Sequence, residues 1–304
     1  MSRAPSQPRP FPMNAQNTLR AAAWMIGAIV SFTSMAIAGR ALAGQHDTFE
    51  IMTYRSLVGI AIVLAVGWRA GTLQQITRRS LHIHFIRNIS HFIGQNLWFF
   101  AIASAPLAQV FALEFTSPLW VTVLAPLVLK ERLTSTRALA AALGFVGILF
   151  VARPFGGLSL GPGLIAAALA AIGFAGSAIF TRLLTRTETI TCILFYLTLM
   201  QAAFGLICAA HDGAVTLPTA ATLPWLILVG CAGLVAHFCL TTALSLAPAS
   251  VVMPIDFARL PIIAIVGMVL YAEPLDPAIL AGAAVIFAAN WMNIRKETRA
   301  SASW

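Results

Sequence analysis

Charge is what this sequence has least of. Only 10% of its 304 residues are charged, against 59% hydrophobic, and its mean hydropathy is +0.86. A soluble domain of that size needs far more charge to cover its surface. Acid is scarcest, with 10 Asp and Glu against 19 Lys and Arg. A net charge of +9 in a soluble protein would point to nucleic acid. Here the basic residues sit in short loops between apolar runs, so they read as topology signals and no nucleic-acid partner is expected. Cysteine is sparse too. Cys192, Cys208, Cys231 and Cys239 all fall in apolar segments without metal-ligand spacing. They read as inert and reduced, and no metal, disulfide or cofactor is expected. The phosphate-cradling G-x-x-x-x-G-K-[ST] is missing, which excludes ATP hydrolysis by the chain itself. H-E-x-x-H and G-x-S-x-G are missing as well, and the chain is not expected to be an enzyme.

What is present is a series of apolar runs. About 20 apolar residues span a bilayer core. Ten candidates lie near residues 20–42, 49–68, 84–104, 107–129, 136–152, 161–182, 189–209, 223–246, 250–272 and 276–294. The expected fold class is therefore an all-α integral membrane protein. Residues 1–19 are Pro- and Arg-bearing and read as a disordered cytoplasmic tail, with residues 295–304 as a second tail. A signal peptide ending near Ala41-Leu42-Ala43 is the rival reading, but the run from Ala21 to Ala38 is long for one. With the N-terminus in the cytoplasm, 15 of the 19 basic residues fall on that side, and Arg40 and Arg153 on the other. Arg55 and Arg259 lie within helices. This predicts a multi-pass inner (plasma) membrane protein with both termini cytoplasmic.

The chain also repeats itself. At an offset of 142 positions Glu114-Phe115 meets Asp256-Phe257, and Arg40 meets Arg182. Tyr54 meets Tyr196, Ala105-Pro106 meets Ala247-Pro248, and Glu131 meets Glu273. A constant offset that carries charged and aromatic residues divides the chain into two halves of five helices. Five is odd, so the second half enters the membrane upside down. The loops agree: Lys130-Glu131-Arg132 corresponds to Ala272-Glu273-Pro274, which has lost both basic residues. Inverted repeats are a recurring transporter architecture, with the solute site at the repeat interface.

These residues carry a family resemblance: Ala101 to Pro106, Pro118 and Leu129-Lys130-Glu131-Arg132-Leu133 in the first half. In the second half they are Ala243 to Pro248 and Leu270-Tyr271-Ala272-Glu273-Pro274-Leu275, followed by Gly282-Ala283. The chain resembles the drug/metabolite transporter superfamily in its ten-helix form, with EamA-like repeats over residues 20–152 and 161–294. The resemblance implies a secondary transporter of a small organic metabolite, such as an amino acid, a cofactor-like molecule or an amphipathic compound. It implies alternating access, driven by proton coupling or exchange. The expected partners are a small-molecule solute and membrane lipids, with no obligatory protein partner. An intramembrane enzyme and a lipid flippase are the alternatives.

A charge at bilayer depth costs about 2.5–3.5 kcal/mol on insertion scales, so each needs an explanation. Glu114 and Asp256, related by the repeat, are candidates for solute binding or proton exchange. Arg259 follows Asp256 by three residues on the same helical face, so it either pairs with that carboxylate or binds a solute anion. Pro254 and Pro261 bracket the pair and suit a broken helix. Arg55, beside Tyr54, is expected near the outer end of its helix, snorkelling or closing a gate. His84, Asn88, His91, Gln95 and Trp98 share one helix face, which must line a cavity or another helix. His237 is the repeat counterpart of Gln95. Trp98, Phe99, Phe115 and Phe257 offer stacking surfaces for a planar solute. His84 and Arg87 are expected at the cytoplasmic interface.

Overall fold

A computed structural model describes residues 15–129, 135–152, 161–185, 187–211, 215–246, 255–256, 258–274 and 276–302. These residues form eleven α-helices and one short 3-10 turn. The first half contains α1 (Ala15–Ala41), α2 (Thr48–Arg69), α3 (Leu81–Ser104), α4 (Leu107–Glu114), α5 (Ser117–Leu129) and α6 (Ser135–Ala152). The second contains α7 (Pro162–Leu184), α8 (Ile190–Ala209), α9 (Leu223–Leu246), α10 (Arg259–Tyr271) and α11 (Pro277–Ala302). Five of the described helices are long and apolar enough to cross a membrane.

The repeat offset reappears in the helix ends. Moving α3 by 142 positions gives the bounds of α9, and moving α5 gives those of α10. Packing follows the same symmetry. The first helix of each half lies along the third helix of the other, α1 on α9 and α7 on α3. The second helices pair with each other, α2 on α8, and the last ones pair as α6 on α11. Every major helix contact therefore crosses between the halves, which places their interface along the centre of the molecule.

Small residues set the spacing. A Cβ on Gly173 of α7 would stand 2.8 Å from the Gly94 Cα of α3 and 3.0 Å from the Ser90 carbonyl. Only glycine permits that approach. The outer surface carries large apolar side chains such as Ile26, Ile207 and Val269, whereas Arg87, Asn88, His91 and Gln95 are buried. That is the reverse of a soluble protein and suits a lipid surround.

The fourth segment, expected as one helix over 107–129, is broken. α4 ends at Glu114, and α5 begins at Ser117. Pro118 supplies the reason: it has no N–H for the Glu114 carbonyl, and its ring clashes there. Thr116 adds to the break by donating from its hydroxyl to the Leu113 carbonyl at 2.7 Å. The ninth segment is interrupted at the matching place. Asp256 is helical, Ala258 is in a turn, and α10 starts at Arg259 with Pro261 in its first turn. The acids expected inside continuous helices thus sit at helix breaks. Pro254 and Phe257 lie outside the described residues, as do Lys130 to Thr134.

Candidate functional site

Breaking each fourth helix brings its acid to the centre. There Arg259 bridges the two halves. Its Nη2 donates to Glu114 Oε1 at 3.1 Å and to Asp256 Oδ2 at 3.0 Å. The Trp98 indole N–H donates to the other Glu114 oxygen at 2.7 Å. The guanidinium lies over three rings, with its centre 4.7 Å from the Phe32 centroid and 5.1 Å from those of Phe111 and Phe115. This is a cation held by two carboxylates and an aromatic cage, with Arg259 itself only 3% exposed. The expected pair within one helix exists, and the carboxylate of the other half joins it. Among the described residues, Asp256 Oδ1 and Arg259 Nε have no partner. A single cation thus faces two acids, one from each half.

A second cluster lies across Phe32, whose ring meets the His237 ring edge-on at 5.7 Å. His237 in turn stands 5.5 Å from His91. Arg55 lines a cavity of about 20 Å³ together with Gln201, Thr198 and His237. On the far side Arg87 donates to Thr181 Oγ1 at 3.1 Å and to Asn88 Oδ1 at 3.0 Å. Gln201 donates to the Asn88 carbonyl at 2.8 Å. Arg55, expected to snorkel or to close a gate, is buried at 8% exposure, which excludes the snorkelling. Arg87 and His84, expected at the cytoplasmic interface, lie in the first two turns of α3 and are buried among the helices. The helices opposite explain how Arg55 fits. Gly230 and Gly233 of α9 occupy the repeat positions of Asn88 and His91. A Cβ at Gly233 would come within 2.8 Å of Arg55 Nη2.

Other expected residues lie elsewhere. Gln95 is buried beneath the polar face with its Nε2 unpartnered. Trp98 and Phe99 are packed in the core at 2% exposure, so neither presents an open stacking face. Tyr54 is directed away from the centre and donates to the Thr216 carbonyl at 2.7 Å. The larger cavity, about 320 Å³, is walled by Leu260, Pro261, Ala283 and Phe287 and has no charged lining.

Two features were missed in the sequence. Arg40, at the end of α1, pairs with Glu273 and donates to the carbonyls of Ile102 and Ala105. Glu273 also accepts from the Leu107 N–H at 2.8 Å, and Arg40 stacks 4.8 Å above Tyr271. The left-handed turn at Ala272 (φ 53°) directs Glu273 back toward α1. This network ties both halves together at one end of the bundle. The matching of Glu131 with Glu273 was the available signal. At the opposite end, Glu188 accepts from Thr77 at 2.7 Å, and its carboxylate lies with His84 and Cys192 in a group whose ligand atoms are within 4.8 Å of one another. Burial pushes the Glu188 carboxyl up. Hydrogen bonds from Thr77, Ser80 and Cys192 outweigh it and hold the group below its ordinary value. Cys192 is thus a member of a polar cluster rather than an isolated apolar-phase thiol.

Comparison with known proteins agrees with this architecture. The family model of the EamA-like transporter family matches residues 19–153 and again 161–295. A riboflavin transporter of Brucella anthropi is 31% identical over 259 residues, 83% of this chain and 89% of that protein. An S-adenosylmethionine uptake transporter of Rickettsia bellii is 26% identical, covering 91% of this chain and 94% of its own. A solved structure, described only as the crystal structure of a protein, superposes with a TM-score of 0.63 at 18% identity. It covers 92% of this chain and 96% of that one, and it speaks for the fold alone.

Proposed function

We propose how this chain, which belongs to the EamA-like transporter family and carries a small organic metabolite across a membrane, does so: by alternating access about the central junction of its inverted halves. The names of the relatives point to carriage, not to catalysis or lipid flipping. The observation that carries the mechanism is the pairing of Arg259 with one carboxylate from each half. Glu114 ends a half-helix at the break made by Pro118, and Asp256 stands just ahead of the turn that precedes α10. Such breaks leave backbone groups free to bind a solute and let the flanking pieces tilt. A solute or a proton arriving at Glu114 or Asp256 releases one arm of the Arg259 bridge, and the halves then rock. His91, Gln95, His237, Arg55 and Phe115 surround the path beside this junction. Phe257, outside the described residues, follows Asp256 directly. The excess of basic residues in one set of loops supports cytoplasmic termini. In that orientation the Arg40–Glu273 tie closes the outer face.

The test is reversible closure. A double variant, Arg40→Cys with Glu273→Cys, is reconstituted in liposomes and assayed for counterflow of radiolabelled riboflavin and S-adenosylmethionine. The reduced variant should carry one of them, oxidation should stop the flux, and a reductant should restore it. Flux that continues after complete cross-linking would refute a moving outer gate. An absence of flux for every metabolite tested would refute the carrier reading.

A further inference from the structure

Resting on the carrier reading, we infer that the Arg55–Arg87 centre is a solute-binding site for an oxyanion, so that the cargo bears a carboxylate or a phosphate. Four basic side chains converge there from three helices: Arg55 of α2, Arg87 and His91 of α3, and His237 of α9. By helix rise, Arg55 lies about 10 Å along α2 from one end of the bundle, and Arg87 about 9 Å along α3 from the other. The two histidines lie between them, 5.5 Å apart. Among the described residues, neither arginine forms an ion pair. Arg55 has a contact at 3.6 Å to the Met52 sulfur, and Arg87 is bonded to the neutral Thr181 and Asn88. The two guanidiniums repel each other, and both act on the His91 ring.

Buried charges are ordinarily paired, because an isolated one is costly to desolvate. The same chain shows the ordinary solution twice, at Arg259 with Glu114 and Asp256 and at Arg40 with Glu273. Arg55 and Arg87 are left without that solution in the middle of the repeat interface. Among the described residues three more polar atoms are unsatisfied: two that can donate, His91 Nε2 and, farther along the same face of α3, Gln95 Nε2, and one acceptor, Gln201 Oε1. Guanidinium donors and neutral amide or imidazole N–H groups together form a donor set that matches carboxylate and phosphate oxygens. The 20 Å³ beside Arg55 admits about one water, so the centre is closed around its donors in this conformation.

The test compares compounds that differ by one anionic group, using the purified full-length protein in detergent. Riboflavin is paired with riboflavin 5′-phosphate, and S-adenosylmethionine with its decarboxylated form. Inorganic phosphate is the minimal probe, and short-chain phosphatidylglycerol controls for a lipid phosphate. At least one anionic member should bind about tenfold or more tightly than its neutralised partner, as one charge-assisted contact allows. Arg55→Met should abolish that preference. It should also raise, not lower, the ligand-free melting temperature, since it removes an unpaired buried charge. A residue with a purely structural role would give the opposite shift. Equal binding within both pairs, a preference that survives Arg55→Met, or a response to phosphatidylglycerol alone would each overturn the assignment. Transport of neutral riboflavin with no anion preference would leave the carrier reading standing and remove this one. Failure of every compound to move in liposomes would remove the carrier reading itself.

Discussion

Arg259→Gln is the perturbation whose size the structure sets most directly. One nitrogen of Arg259 serves two carboxylates, at 3.0 and 3.1 Å, on opposite halves. Removing it leaves Glu114 and Asp256 close together in a buried site with no cation. Taking away one partner of a buried ion pair costs about 3–5 kcal/mol, because the remaining charge is stranded. At roughly 2–4 °C per kcal/mol, the scale for chains somewhat smaller than this one, the melting temperature should fall by about 6–20 °C. The informative control is the triple variant Glu114→Gln, Asp256→Asn, Arg259→Gln. It keeps the shape and removes all three charges, so most of the lost stability should return. The assay is thermal unfolding of purified protein in one detergent, followed by intrinsic fluorescence, with ligand absent. A single variant within about 2 °C of the parent would refute the claim that the bridge holds the halves. So would a triple variant as unstable as the single one, since stranded charge could not then be the cause.

Two further outcomes follow from contacts away from the junction. Gly173→Ala forces a methyl group against backbone atoms of α3 at 2.8–3.0 Å, so α3 and α7 must separate. Overpacking of this kind costs about 1–3 kcal/mol, and a lower melting temperature with reduced transport should result; an unchanged variant would show that the two helices are not in contact. The Glu188 carboxyl is held below its ordinary value, so its contribution is present above the unfolded-state value of about 4.3 and is lost as pH falls through the lower folded value. The stability gap between parent and Glu188→Gln should therefore be constant above about pH 5 and close on further acidification. A gap that widens in acid would contradict the assigned hydrogen bonds.

The frame of the molecule was legible because lipid imposes simple rules. Apolar runs of spanning length, a one-sided distribution of Arg and Lys, and a constant offset predict the helices, their inversion and the pairing of Glu114 with Asp256. The helix breaks were harder. Pro118 and Pro261 are not equivalent in the repeat, since Pro261 matches Leu119, so the offset alone did not reveal a shared interruption. Hydropathy also reads across a two-residue break without change. The directions of single side chains were illegible for a different reason. A long side chain near a helix end can snorkel outward or turn inward, and only the neighbour decides. For Arg55 that neighbour is α9, where Gly233 leaves the space its guanidinium fills and Gly230 lets the helix approach its backbone.

Departures from the repeat mark where chemistry is placed. Related positions meet near one axis, and close-packed helices there cannot hold two large polar side chains at once. His91 and Asn88 on α3 therefore have Gly233 and Gly230 as their repeat counterparts on α9. Arg55 is matched by Leu197, and Arg259 by Ser117. On the proposed mechanism, symmetric positions supply the moving parts: the broken helices, the crossed packing of first and third helices, and the two acids. Asymmetric ones supply charge, with Arg259 neutralised by the acids and Arg55 and Arg87 left open. A carrier needs near-equivalent halves to reach two states of similar energy, yet a cargo has one shape and one charge distribution. An inverted repeat with a one-sided set of basic residues meets both requirements in a single chain.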